Sequence, residues 1–129
     1  MIVVDTSALI DALTGGRRSA GLLRRWIEQG ERFAVPTLVI YEWLRGPRNQ
    51  EELQAQAALF PPASWIDFGA EEARLAAKLY QRASRGRGRE IDLAIAACAI
   101  LHHGSLWTLN LADFRDLPGL HLQTPLDEA

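Results

Sequence analysis

The chain opens on a short apolar run, Met1-Ile2-Val3-Val4, and comparable runs recur at Phe33-Ala34-Val35, Trp65-Ile66-Asp67 and Leu106-Trp107-Thr108. They are brief, rich in β-branched or aromatic residues and free of polar alternation, the pattern of strands buried on both faces of a parallel sheet. Between them the periodicity is helical. Thr6 to Leu13 predicts a short helix stopped by Gly15-Gly16, and Ser19 to Gln29 a second, with Leu22, Leu23, Trp26 and Ile27 on its apolar side and Gly30 at its end. Pro36 breaks the second strand, and Thr37 is placed to cap a helix over Leu38 to Leu44 before Gly46-Pro47. Glu51 to Phe60 and Ala70 to Ala83 read as further helices. A basic link, Ser84-Arg85-Gly86-Arg87-Gly88-Arg89, leads into the most apolar helix, Glu90 to His103, and an edge strand is expected near Leu120-His121-Leu122. Strands alternating with helices predict an α/β fold with a parallel sheet.

A length of 129 residues is one domain, residues 1–129, with core enough to stand alone. The 14 basic and 16 acidic residues leave a net charge of −2, so nucleic-acid binding would have to come from a local patch. Cys98 is the single cysteine, which rules out an internal disulfide framework and a cysteine-built zinc site. The start carries Asp5 and has no basic leader, and no apolar run reaches the roughly 20 residues of a membrane helix. A cytoplasmic protein with no membrane partner is expected.

Acidic residues change the picture. Asp5 ends the first strand, where ligands bind in open α/β sheets, although taken alone it reads as a helix cap. Glu42 lies on the helix after the second strand, and Asp92 in the first turn of the helix leading to the fourth. Asn110 and Asp113 come just past that strand. The topology can bring all of them to one end of the sheet. Carboxylates so gathered repel one another and lose hydration, a cost that a divalent cation removes. Hard oxygen donors without thiol or imidazole suit Mg²⁺ or Mn²⁺, whose natural use is phosphodiester hydrolysis.

Three segments then carry a resemblance. Ile2-Val3-Val4-Asp5-Thr6-Ser7-Ala8-Leu9-Ile10, Val39-Ile40-Tyr41-Glu42-Trp43-Leu44-Arg45-Gly46 and Asp92-Leu93-Ala94-Ile95-Ala96-Ala97-Cys98-Ala99 resemble, in order and spacing, the motifs of PIN-domain ribonucleases, most closely the compact VapC-type toxins. The likeness spans essentially the whole chain. It implies a three-layer α/β/α sandwich with a central parallel sheet, and Asp5, Glu42 and Asp92 as the first three acids of a Mg²⁺ or Mn²⁺ site. It further implies cleavage of RNA, homodimerisation, and neutralisation by a cognate antitoxin protein. Thr108-Leu109-Asn110-Leu111-Ala112-Asp113-Phe114 resembles the last motif with a departure: Asn110 stands where many members have aspartate. Asp113 is then the expected fourth acid, with Asn110 as the alternative. Thr6, Ser7, Thr108 and Asn110 would steady the acids and their waters, though the first two are also ordinary helix caps.

RNA next to carboxylates needs positive charge, and Arg85, Arg87 and Arg89 lie just before Asp92 with glycines between them, able to fork onto phosphates or simply to pair with Glu90 and Glu71 at a solvated loop. Arg17, Arg18, Arg24 and Arg25 read as helix-surface charges. Trp43, beside Glu42, is the tryptophan to consider for base stacking or a partner surface. A phosphoacceptor domain is a poor alternative, since the only lysine, Lys78, sits in a helix. The stronger alternative is a non-catalytic RNA- or partner-binding domain with a degenerate site.

Overall fold

The apolar runs become five parallel strands, β1 (Ile2–Val4), β2 (Phe33–Pro36), β3 (Trp65–Ile66), β4 (Ser105–Trp107) and β5 (His121–Gln123), ordered β3-β2-β1-β4-β5. This is a computed structural model, and it describes residues 1–14 and 17–124, with no side chain at 17 or 18. The expected Gly15-Gly16 stop and the side chains of Arg17 and Arg18 lie outside the described residues. The helices are α1 (Thr6–Thr14), α2 (Arg17–Glu28), α3 (Thr37–Arg45), α4 (Gln50–Leu59), α5 (Ala70–Arg82) and α6 (Glu90–Leu101). The chain steps from β1 to β2 to β3 in one direction and returns from β3 to β4 in the other. Right-handed crossovers therefore put α1–α4 on one face and α5–α6 on the opposite face, giving three layers. The strand order reverses between β1 and β4, which pair with Val4 opposite Trp107. Asp5 and Thr108 are the next residues on each, at the point where such sheets place their ligands.

The core explains why these segments hold together. Every residue from Leu93 to Ala99 is buried, and the small side chains of Ala94, Ala96, Ala97, Cys98 and Ala99 let α6 lie close against both the sheet and α5. Trp26 meets Trp107 edge-on at 5.0 Å between ring centroids, and Phe33 bridges Trp26 to Phe60. This aromatic chain packs the α2 side of the sheet.

Most expected elements form, and the differences lie at their ends. Pro36 does not break β2 but closes it opposite Ile66, at a terminal position where a missing N–H costs the ladder little. It then serves as the cap of α3, so Thr37 is the first helical residue and not the cap. Asp67 falls outside β3. Helix α6 ends at Leu101 and not at His103, because His103 takes a positive φ of 55°. Its N–H reaches Ile100 O at 3.2 Å while Gly104 N–H reaches Ala99 O at 3.0 Å, the paired bonds of a left-handed helix stop. Glycine usually takes the left-handed position. Here it is needed one residue later, because a Cβ on Gly104 would lie 2.6 Å from Val3 Cγ2 and 3.2 Å from Met1 O.

Two alanine substitutions should therefore move stability in opposite directions. Gly21 is exposed within α2 and a Cβ there meets nothing within 4 Å, so Gly21→Ala should stabilise by about 0.5–1 kcal/mol. Gly104→Ala should cost about 1–3 kcal/mol by pushing β1 off its register. Urea unfolding of both variants measures the pair, and a stable Gly104→Ala protein would contradict this packing.

Candidate active site

Asp5 is the buried anchor of the carboxyl end of the sheet, only 3% exposed. Its N–H continues the β1–β4 ladder by donating to Trp107 O at 2.9 Å, and its carbonyl accepts from Leu9 N to start α1. The side chain does something different. Carboxylate Oδ2 accepts from Thr108 Oγ1 at 2.6 Å and from Ser7 Oγ at 2.9 Å. Those hydroxyls lie 3.2 Å apart and each accepts a backbone N–H, Leu109 to Ser7 and Asn110 to Thr108. A charge taken from water is thus held by two oriented O–H dipoles.

Glu42 is placed from the other side of the site. Neighbours on a helix point about 100° apart, so Trp43 enters the core while Glu42 faces the sheet's end. Its Oε1 accepts from Thr6 Oγ1 at 2.5 Å, and its Oε2 pairs loosely with Arg45 at 3.4 Å. The Arg45 spacing, three residues on along the helix, was visible in sequence. Trp43 itself is 0% exposed with the Arg48 guanidinium 4.2 Å from its ring centroid, so it is core and neither stacks bases nor meets a partner.

Asp92 reports how near the acids are. Burial in the first turn of α6, followed by the charges of Asp5, Asp113 and Glu42, pushes its carboxyl from 3.8 up to about 6, with Arg89 opposing the rise. Four carboxylates thus share one electrostatic neighbourhood. Among the described residues no three carboxylate, imidazole or thiol groups already stand in an arrangement that could hold an ion together. The donor set nonetheless fits a hard divalent cation, because it is all carboxylate and hydroxyl oxygen and Asp92 is driven toward protonation by burial and by the acids around it. Mg²⁺ in particular keeps several waters, which span such gaps. Asn110 precedes and Asp113 ends a single 3-10 turn, Leu111–Asp113, and both are exposed. Asn110 contributes backbone here, its N–H to Thr108 and its carbonyl to Asp113 N–H at 2.9 Å. Asp113 contributes charge.

The basic link splits into two kinds of residue. Arg85 and Arg87 are exposed and line, with Asp113, a polar cleft of about 440 Å³. Gly88, at φ 86°, makes the turn between them and α6. Arg89 lines the same cleft but is less exposed and is already paired, gripping Asp116 through both terminal guanidinium nitrogens at 2.9 and 3.1 Å. Neither Glu90 nor Glu71 is its partner, and Glu71 pairs with Arg74. Sequence reading missed Asp116, which lies 27 residues from Arg89 and carries no local signal.

A family model described as PIN domain matches residues 2–120. "Ribonuclease VapC19" of Mycobacterium tuberculosis is 36% identical over 122 residues, covering 93% of this chain and 97% of that one. "Ribonuclease VapC1" of Rickettsia felis is 34% identical over 135 residues, 95% of each chain. Among solved structures, a toxin–antitoxin complex from Klebsiella pneumoniae superposes with a TM-score of 0.73 at 26% identity, covering 93% of this chain and 95% of that one. The matched span takes in all four acids and the hydroxyls that hold Asp5 and Glu42, and on it the chain belongs to the PIN domain family, among the VapC ribonucleases.

Proposed function

We propose that this protein is an endoribonuclease, the toxin of a toxin–antitoxin pair, that hydrolyses RNA at the acid cluster with Mg²⁺ or Mn²⁺ held by Asp5, Glu42, Asp92 and Asp113. The observation that carries the reading is Asp92, raised to about 6 by burial and by the three carboxylates around it. When bound, such a cation activates a water and offsets charge on the phosphodiester. The chain's own residues do the rest. Ser7 and Thr108 hold Asp5 in one orientation, and Thr6 does the same for Glu42, so neither carboxylate must be ordered when substrate arrives. Arg85 and Arg87 face the cleft beside Asp113 and meet the RNA backbone there. Asn110 is the alternative fourth group, through its side-chain oxygen.

The names of the relatives, ribonucleases, and the toxin–antitoxin complex among the structural neighbours support the same reading. A protein partner needs apolar area to cover, and an apolar groove of about 290 Å³ between α1, α2 and α4, lined by Leu13, Leu23, Ile27 and Leu59, offers it for an antitoxin. Tyr41 and Leu44, exposed on α3, offer it for a second copy of the chain. We read the chain as one domain, acting in the cytoplasm where its RNA is; no helix among the described residues is long and apolar enough to cross a membrane.

The deciding experiment incubates partner-free protein with total cellular RNA in Mg²⁺, Mn²⁺ or chelator and maps new ends. Asp5→Asn, Glu42→Gln and Asp92→Asn should each lose cleavage by at least about a hundredfold while still folding. Asp113→Asn should cut the rate and raise the half-saturating metal concentration more than Asn110→Ala does. The reverse ranking would make the amide the working fourth group, and retained cleavage in Asp5→Asn would remove the site altogether.

Protonation adds a second test. The folded state holds the Asp92 proton up to about pH 6 whereas the unfolded chain releases it near 3.8, so this group costs the metal-free fold stability as pH rises from about 4 to 6. Asp92→Asn should abolish that decline in a series of melting curves. Cation binding must displace the proton, so Mn²⁺ affinity should fall below about pH 6, with roughly three-quarters of a proton released at about pH 5.5 in calorimetry across buffers of different ionisation heat.

The cleft arginines are tested by salt. Replacing Arg85 and Arg87 by Ala should weaken RNA binding and flatten its salt dependence by roughly 0.7 in log–log slope per lost contact, without moving the cut sites. An unchanged slope would return both to a solvated loop.

A further inference from the structure

Arg89 is the residue on which α6 begins. Its carbonyl accepts from Leu93 N at 2.9 Å, its N–H closes the preceding turn onto Gly86 O at 2.9 Å, and Asp92 follows within the same helical turn. Its side chain, 16% exposed, reaches across to the segment after β4. There Nη2 donates to Asp113 O at 2.6 Å and to Asp116 Oδ1 at 2.9 Å, while Nη1 donates to Asp116 Oδ2 at 3.1 Å and to Arg85 O at 3.3 Å. One planar fork thus joins the basic link, the start of α6 and the segment Asp113 to Asp116, at the C-terminal end of the turn that carries Asp113. The residue on which the Asp92 helix begins is thus tied to the segment that carries Asp113 through a single guanidinium. An ammonium could not reproduce this, since it lacks the paired, coplanar donors that grip a carboxylate at two points.

We propose that Arg89, with Asp116, is a positioning residue that holds Asp113 in place relative to Asp92, and is not an RNA-contacting residue like Arg85 and Arg87. The inference rests on the reading of Asp92 and Asp113 as cation-holding acids. Apart from its fork onto Asp116, the guanidinium holds the Asp113 segment by its backbone carbonyl, which leaves the Asp113 carboxylate unengaged by the fork and available to a cation. Asp116, drawn below its ordinary range by the Arg89 hydrogen bonds, stays ionised and keeps the fork closed.

The test compares wild type with Arg89→Lys and Asp116→Asn, each alone and with Asp113→Asn, by two measurements on partner-free protein. Hydrogen exchange follows the amides that hold the turn, Asp113 to Asn110 O, Phe114 to Leu111 O and Leu117 to Phe114 O. Calorimetry gives the Mn²⁺ affinity. Either single change should speed exchange in 111–117 while leaving the buried α6 amides as they are, and should weaken Mn²⁺ binding by about tenfold. That loss should vanish in the Asp113→Asn background, because the clamp then has no carboxylate to place. Unchanged exchange, a Mn²⁺ penalty of the same size without Asp113, or weakened RNA binding with intact Mn²⁺ affinity would each overturn the proposal. If wild type itself binds no Mn²⁺, the cation-site reading fails, and the exchange pattern alone then decides for or against the clamp.

Discussion

A carboxylate moved out of water beside others loses hydration and meets repulsion at once, and Asp92 registers both in a carboxyl standing at about 6. Few folds would keep such a group where an alanine packs more cheaply. The surrounding structure is arranged to tolerate it. Asp5, the most buried of the four acids, takes two hydroxyl hydrogen bonds on one oxygen. Glu42 takes one from Thr6. Arg89 sets a cation close enough to oppose the rise at Asp92 without neutralising it.

The hydroxyls link this electrostatic arrangement to the fold. Ser7 belongs to α1 and Thr108 follows β4, yet they meet over one carboxylate because β1 and β4 are neighbours at the reversal of strand order. The backbone N–H groups of Leu109 and Asn110 dock on the same two hydroxyls, so the path of the chain toward Asp113 starts from the group that fixes Asp5. Asp5 and the backbone that carries Asp113 are therefore set by one connected network that extends from β1 through the end of β4 to the Arg89 fork. A small change of register in β1, as a side chain at Gly104 would impose, reaches the acids through backbone bonds.

Positive charge near the site has two roles that composition does not separate. All three line the cleft, but Arg89 is taken up by its pair with Asp116, whereas Arg85 and Arg87 keep exposed side chains there. The split follows from the turn. Gly88 reverses the chain at positive φ, turning the arginine after it toward the 111–116 segment and leaving those before it outside. A similar division separates neighbours on α3, where the same helical step that brings Glu42 to the site buries Trp43.

Local pattern carried much of this protein. Short apolar runs showed the strands, amphipathic spacing the helices, and an acid directly after a strand showed where Asp5 would sit, because burial and backbone period are properties of a few adjacent residues; Thr108, expected inside the fourth strand, falls just past it. The PIN-like motifs around Asp5, Glu42 and Asp92 were legible for the same reason. The pairings were not. Thr6 with Glu42, Arg89 with Asp116, Trp43 beneath Arg48, and the left-handed stop at His103 in place of Gly104 depend on which strands are neighbours and which helix faces meet. Those are long-range choices, made by strand order and crossover hand, and no residue records them in its own neighbourhood. The sequence by itself therefore determined the elements and which groups were available for chemistry, and only the tertiary structure decided which arginine is spent as a clamp and which acids share one field.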